Sequence, residues 1–265
     1  MSVHLDEQDR KLSPPPGFGA VSFPSPYRRM LSFIVPAHNE EHELPETLHS
    51  IRLAAETAGA AYEIVVADDA STDATAEIAQ ALGARVLPVD LRQIAAVRNA
   101  GARAAQGETL FFVDADTRIV AAHITGALEA LESGCSGGSA RVALDGEVPL
   151  WARIFLRAFS TVYFAANLGV GAFMFARRET FEAVGGFDEQ YFAGEEAYLS
   201  MALRKMGPFK ILRTPIVTSA RKIRMHPPRF VLAQSFFIFF GGKRALRRRH
   251  KLDLWYDGKR ERKPA

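Results

Sequence analysis

Apolar residues fall in short runs through the first half of the chain, each halted by polar or turn-forming residues and followed by a stretch of helical period. Residues 33–35 run apolar into Pro36, and polar His38-Asn39-Glu40-Glu41 leads to a helical pattern over about 44–56. The form repeats. Residues 62–67 are a second apolar run, ending in Asp68-Asp69-Ala70-Ser71-Thr72-Asp73, where Ser71 or Asp73 is placed to cap a helix over roughly 74–82. A third run at 84–89 precedes a helix that continues through 105, and a fourth at 109–113 empties into Asp114-Ala115-Asp116. Strand and helix alternating at this spacing predict an α/β fold, a mainly parallel sheet flanked by helices. Ligands of such sheets gather beyond the carboxyl ends of the strands, where His38, Asp68, Asp69, Asp114 and Asp116 are expected.

Extended backbone alternates its side chains, so a strand continuing past residue 113 would put the Asp114 and Asp116 carboxylates on one side of the sheet edge. Carboxylates that close resist joint ionisation unless a divalent cation compensates them. Hard oxygen ligands suit Mg²⁺ or Mn²⁺, bridging to substrate phosphates. Asp-x-Asp alone also describes a loop with two solvated aspartates. Several strand ends delivering polar residues to one edge favour a site, with Asp116 as metal ligand.

At this point the chain resembles the family 2 inverting glycosyltransferases, which use the nucleotide-sugar-binding GT-A fold. Val35-Pro36-Ala37-His38-Asn39-Glu40 is similar to the family's first nucleotide loop, Val66 through Asp73 to its base-recognition loop, and Arg98-Asn99-Ala100-Gly101 to its Arg-Asn-x-Gly segment before the metal motif Asp114-Ala115-Asp116. Residues 173–189 resemble its acceptor-side segment, and Gly194-Glu195-Glu196 followed by a helix resembles its Glu-Asp motif. The pieces are in the family's order and span about residues 31 to 221.

The resemblance implies a metal-dependent transfer of sugar from a UDP- or GDP-sugar to an acceptor hydroxyl. Pro36, His38 and Glu40 would line the nucleotide loop. Asp68 and Asp69 would accept bonds from the base, and Arg98 would reach the base or diphosphate. Asp114 would bond the ribose and assist Asp116 with the metal. Arg221 and Arg224 would meet the diphosphate, and the late His226 would complete the metal shell. An inverting displacement needs a base for the acceptor proton. Glu196 is the candidate, with Glu195 the alternative, because this chain has Glu-Glu where the family usually has Glu-Asp. The pair also reads as an acidic first turn suited to the helix dipole. The family's Gln-x-x-Arg-Trp motif of processive polymerases is absent, which implies transfer of a single sugar. A nucleotidyltransferase would show a glycine-rich basic loop in place of Pro36-Ala37-His38-Asn39-Glu40; a non-catalytic nucleotide-sugar-binding member is the other alternative. The acceptor has no signature in the sequence.

Composition adds organisation. With 265 residues, 48% of them hydrophobic, the chain supports one large core, and no apolar run reaches a membrane span or a secretory signal. The expected division is a proline-rich leader at 1–29, a GT-A catalytic domain at 30–226, and an apolar helix with a basic tail at 227–265. The lone Cys135 excludes a disulfide framework and fits a reducing, cytoplasmic setting. Residues 243–265 hold ten Lys or Arg and three Asp or Glu, leaving 23 basic and 27 acidic residues before them, so the basicity is local. Next to that tail, residues 230–240 are apolar nearly all round. The pair reads either as a peripheral anchor on an anionic membrane surface or as a helix buried against the domain or a second subunit, which would make a homodimer. Nucleic acid is not an expected partner, since the basic run lacks a recognisable fold for it.

Overall fold

A computed structural model describes residues 30–240 and 246–247. The leader at 1–29 and the basic tail, Leu246 and Arg247 excepted, lie outside the described residues. In chain order the elements are β1 (Leu31–Ala37), α1 (Leu44–Thr57), β2 (Tyr62–Asp69), α2 (Thr75–Ala81), β3 (Arg85–Val89), α3 (Ile94–Ala104), β4 (Thr109–Val113), β5 (Thr117–Arg118), α4 (Ala121–Glu132), β6 (Gly137–Leu144), α5 (Leu150–Ala165), β7 (Phe173–Arg177), α6 (Arg178–Ala183), α7 (Glu195–Leu203), β8 (Phe209–Thr218), α8 (Arg221–Met225) and α9 (Pro228–Phe240).

The strands form one eight-stranded sheet in the order β3-β2-β1-β4-β7-β6-β8-β5. The half built from β3, β2, β1 and β4 is parallel, as the alternation of strand and helix predicts. Beyond it β7 runs antiparallel to both β4 and β6, β8 returns parallel to β6, and β5 pairs antiparallel with β8. The sheet is therefore mixed in its second half.

Period-two alternation divides the core. Leu31, Phe33 and Val35 of β1, Phe111 of β4 and Phe175 of β7 point to one face, where α1 and α4 cover them; Phe33 stacks on Phe111 at 5.0 Å between ring centres. Ile34, Leu110, Phe112 and Met174 point to the other, against α3, α6 and α7. Strands covered on both faces read as continuous apolar runs, which is why the sequence marks them so clearly. Helix α3 approaches β1 closely enough that a Cβ on Gly101 would collide with Ile34. That contact accounts for glycine at this position. At the start of α2, Asp73 Oδ1 accepts from the Thr75 N–H at 3.0 Å, so Asp73 serves the helix end as expected, one residue ahead of the N-cap.

Candidate active site

The carboxyl ends of β1, β2 and β4 open on one cavity of 780 Å³, closed on its far side by α5, the turn before α7, and α8. Of the residues singled out in the sequence, Pro36, His38, Glu40, Asp69, Arg98, Asp114, Asp116, Glu195, Glu196 and Arg221 line it. Two do not. Asp68 is buried at the end of β2 outside the lining, and its Oδ1 makes no hydrogen bond among the described residues. His226 lines a separate pocket with Glu147 and Trp151 and stacks on Phe230 at 5.1 Å, so this structure does not bring it to Asp116. Its place past the end of α8 turns it away from the cavity. Arg224 lies in that second pocket too, with Nη1 3.3 Å from Asp145.

The strand carrying the aspartates stops at Val113, and a turn closed by Thr117 N–H to Asp114 O at 3.0 Å follows. Extended alternation is therefore not what groups the carboxylates; the turn does, giving each its own cationic partner. Asp114 Oδ1 accepts from Arg98 Nη2 at 2.7 Å. Asp116 Oδ2 lies 3.1 Å from Arg221 Nη2, and its Oδ1 accepts from the Thr218 hydroxyl at 3.3 Å.

Arg98 is the centre of the site. Only 3% of its side chain is exposed, against the expectation of a residue reaching a ligand. Nη1 donates to Glu195 Oε1 at 2.7 Å, and Nη2 donates to Asp114 and to Gly171 O at 3.1 Å. The guanidinium lies 5.3 Å from the centre of the Phe187 ring. A Cβ on Gly171 would sit 2.8 Å from Nη2, so this glycine is required by the arginine. Burial alone would lower the Arg98 pKa; the Asp114 and Glu195 carboxylates overturn that and hold it above its ordinary value. Asn99 completes the grip, with Nδ2 donating to Phe187 O at 2.8 Å and Oδ1 accepting the Phe187 N–H at 3.0 Å.

Arg221, at the first turn of α8, donates Nη1 to Glu40 Oε2 at 2.5 Å and Nη2 to Glu40 Oε1 at 2.7 Å, a two-pronged pair that ties the β1 loop to the end of β8. His38 Nδ1–H donates to Asp69 O at 2.8 Å, leaving Nε2 to accept from Arg92 at 3.2 Å. Asp69 Oδ1 accepts the N–H groups of Leu91 and Arg92 at 2.7 and 3.1 Å.

The two glutamates at the start of α7 are unlike each other. Glu195 is held by Arg98, whereas Glu196 makes no side-chain ion pair among the described residues. Burial first and the Glu195 carboxylate second push Glu196 up to about 8. Burial likewise pushes Asp116 up to about 6, opposed by Arg221 and assisted by Asp114 and Glu40. Two hard oxygen donors facing one cavity fit Mg²⁺ or Mn²⁺, which commonly takes one or two carboxylates and fills its other positions with water and phosphate oxygens. No group of three protein ligands occurs among the described residues.

The family 2 glycosyl transferase profile matches residues 32–185, more than half the chain. The chain belongs to glycosyl transferase family 2. Curated relatives of this family 2 chain include the undecaprenyl-phosphate 4-deoxy-4-formamido-L-arabinose transferases of Pseudomonas paraeruginosa, 36% identical over 33% of the chain and 28% of the relative, and of Edwardsiella ictaluri, 34% identical over 40% and 35%. The matches thus span about a third of those relatives' length. Among solved structures, S. aureus TarS 1-349 in complex with UDP-GlcNAc aligns at TM-score 0.56 and 22% identity, covering 72% of this chain and 59% of that one. Glucosyl-3-phosphoglycerate synthase from Mycobacterium tuberculosis, with Mn²⁺, UDP and glucosyl-3-phosphoglycerate, aligns at 0.56 and 20%, covering 78% and 75%. The fold is GT-A, as the motifs implied.

Reading the sequence missed Gly171, Tyr163 and Leu246. Tyr163 lines the cavity and donates its hydroxyl to Gly169 O at 2.9 Å. Leu246 accepts the Phe192 N–H through its carbonyl at 2.8 Å and reaches the cavity beside Gly194. None stands in a motif; Gly171 carried a signal only in lying two residues before an apolar strand.

Proposed function

We propose that the chain is a metal-dependent inverting glycosyltransferase that moves a single sugar from a nucleotide diphosphate donor, a UDP- or GDP-sugar, to an acceptor hydroxyl. One observation carries the reading. Glu196, a carboxyl without an ion pair among the described residues, shares a cavity with the Asp114 and Asp116 pair, so base and donor carboxylates face the same space.

In this reading the acceptor oxygen bonds to the anomeric carbon as the bond from that carbon to the diphosphate oxygen breaks, and Glu196 takes the acceptor proton. The nucleoside diphosphate leaves with the electron pair, giving inversion by single displacement. Mg²⁺ or Mn²⁺, held by Asp116 with help from Asp114, would neutralise charge on the departing diphosphate. Glu195 cannot serve as readily, because its Oε1 is occupied by Arg98. Asp69, which lines the cavity, and His38, which donates to its carbonyl, shape the loop assigned to the nucleotide base, and Asp68 would reach the base only if that loop shifted, since it lies outside the lining. Arg221 holds Glu40 and Asp116 in place and would share its charge with the diphosphate. His226 would join the metal only if the chain after α8 moved, so it is left out of the shell.

Calorimetry with UDP and GDP, in Mn²⁺ and in chelator, tests the reading. Nucleotide affinity should rise with metal, Asp116→Ala should abolish the rise, and Glu196→Gln should keep donor binding while losing transfer by roughly two to four orders of magnitude. Affinity indifferent to metal and to Asp116→Ala would refute the metal assignment. Unchanged turnover in Glu196→Gln would refute the base.

A further inference from the structure

Helix α5 has two apolar faces, and only one of them is covered. Phe155, Leu156 and Tyr163 turn inward and line the cavity that holds Glu196. On the opposite side Leu150, Ile154 and Val162 are 70%, 61% and 73% exposed. At 100° per residue they fall, with Ala158 and Ala165, within about 120° of the helix circumference, and exposed Arg153 and Arg157 adjoin one edge of that stripe. On helix α9, Ser235 lines the same cavity, while Arg229, Leu232 and Ala233 share an exposed stripe. Trp151 of α5 and Pro228 of α9 line one pocket together with Glu147. Neither contains an acidic residue.

Exposed stripes on the two helices, apolar on α5 apart from Thr161 and carrying arginine as the sole charged residue within either helix, are complementary to one kind of surface: acyl chains beneath anionic head groups. The inner face of α5 gives the acceptor side of the cavity an apolar lining, with Leu168, Val170 and Met201 beside Phe155 and Leu156, while α9 contributes Ser235. A soluble polyol would leave those residues without a partner of their own polarity, whereas an aliphatic chain would cover them. We infer that α5 and α9 seat the protein on an anionic lipid bilayer and that the acceptor is an amphiphile drawn from it, its polar head at Glu196 and its aliphatic chain against the inner face of α5. The inference rests on the proposed function for the acceptor's position at Glu196.

The test uses the full chain with two readouts. In the first, co-sedimentation with phosphatidylcholine vesicles, with and without phosphatidylglycerol, is compared for the parent, Ile154→Glu/Val162→Glu and Arg153→Glu/Arg157→Glu, with UDP binding in Mn²⁺ measured in parallel. The parent should bind the anionic vesicles and release as salt rises. The apolar variant should lose binding at least about tenfold, and the arginine variant should lose roughly fivefold for each charge removed. In the second, decyl phosphate and decyl glucoside, below their micelle concentrations, should raise the melting temperature of the parent where butyl phosphate and butyl glucoside do not. Preference for one decyl head group would identify the head of the acceptor. Vesicle binding absent from the parent or untouched by both variants, or a lipid-free dimer that Ile154→Glu dissociates, would overturn the docking surface. Equal effects of decyl and butyl compounds would overturn the amphiphile. Loss of UDP binding in the parent would instead count against the proposed function, whatever the vesicles show.

Discussion

Arg98→Ala strands two carboxylates, and the structure sets the size of the effect. Three charge-assisted hydrogen bonds go, two to the Glu195 and Asp114 carboxylates and one to the Gly171 carbonyl. The Glu195 side chain is 5% exposed, so losing its partner costs nearly the full penalty of a buried, uncompensated charge. Asp114 is 31% exposed, and solvent screens much of its share. The expected loss is about 3–5 kcal/mol of folding stability, the range for breaking a buried pair from one side. Urea unfolding of the parent, Arg98→Ala, Glu195→Gln and the double variant measures it, the double variant recovering part of the loss. A deficit below about 1 kcal/mol, or a double variant no better than Arg98→Ala, would refute the assignment of Arg98 as the clamp between the two carboxylates.

Glu196, raised to about 8, must lose its proton to act as base, so transfer should climb with pH to a plateau above that value; a flat profile over this range would disagree. Since its folded pKa exceeds the ordinary carboxylate value, Glu196 should also make stability fall between about pH 4.5 and 8, and Glu196→Gln should flatten that slope in pH-dependent unfolding. Gly171→Ala should cost about 1–3 kcal/mol by pushing a Cβ against Arg98, read as a lower melting temperature; the same change at Gly59, where nothing lies within 4 Å, lacks that clash and tests only the strain of its positive φ.

The parallel half of the sheet was legible because its strands are covered on both faces and so run apolar without interruption, as 64–67 and 110–113 do. The second half was not. Strand β6, Gly-Gly-Ser-Ala-Arg-Val-Ala-Leu, has little side chain at its start because Cβ atoms on Gly137 and Gly138 would strike β7 and Lys210 O, so packing demand produces a sequence with no apolar run. Site residues were visible where a motif carried them, and most converge as expected. What the motif did not disclose was direction: Arg98 turns into the protein, and Arg221 is spent on Glu40 and Asp116. Both are consequences of long-range pairing, at sequence separations of 97 and 181, which local pattern does not encode. Helix α5 went unread because its apolar residues lie on both sides, a pattern that by sequence alone resembles a buried helix.

The Arg-Asn-x-Gly segment gains a mechanical meaning from this geometry. Within one turn of α3, Gly101 sets the helix close against β1, Arg98 joins the turn after β4 to the start of α7, and Asn99 binds the backbone at Phe187. The donor carboxylates and the proposed base belong to halves of the sheet with different strand directions, and this turn is their shared fixed point. Replacing Asp by Glu at position 196 then has a structural counterpart. Arg98 fixes residue 195 and leaves residue 196 unclamped, so one added methylene extends the base into the cavity without disturbing the pair that anchors the helix. The expected consequence is that Glu196→Asp preserves stability and donor affinity and lowers turnover, while Glu195→Asp, which pulls a carboxylate off Arg98, lowers stability. Equal losses of stability from the two changes would mean that the anchor and the base are not separable in the way Arg98 implies.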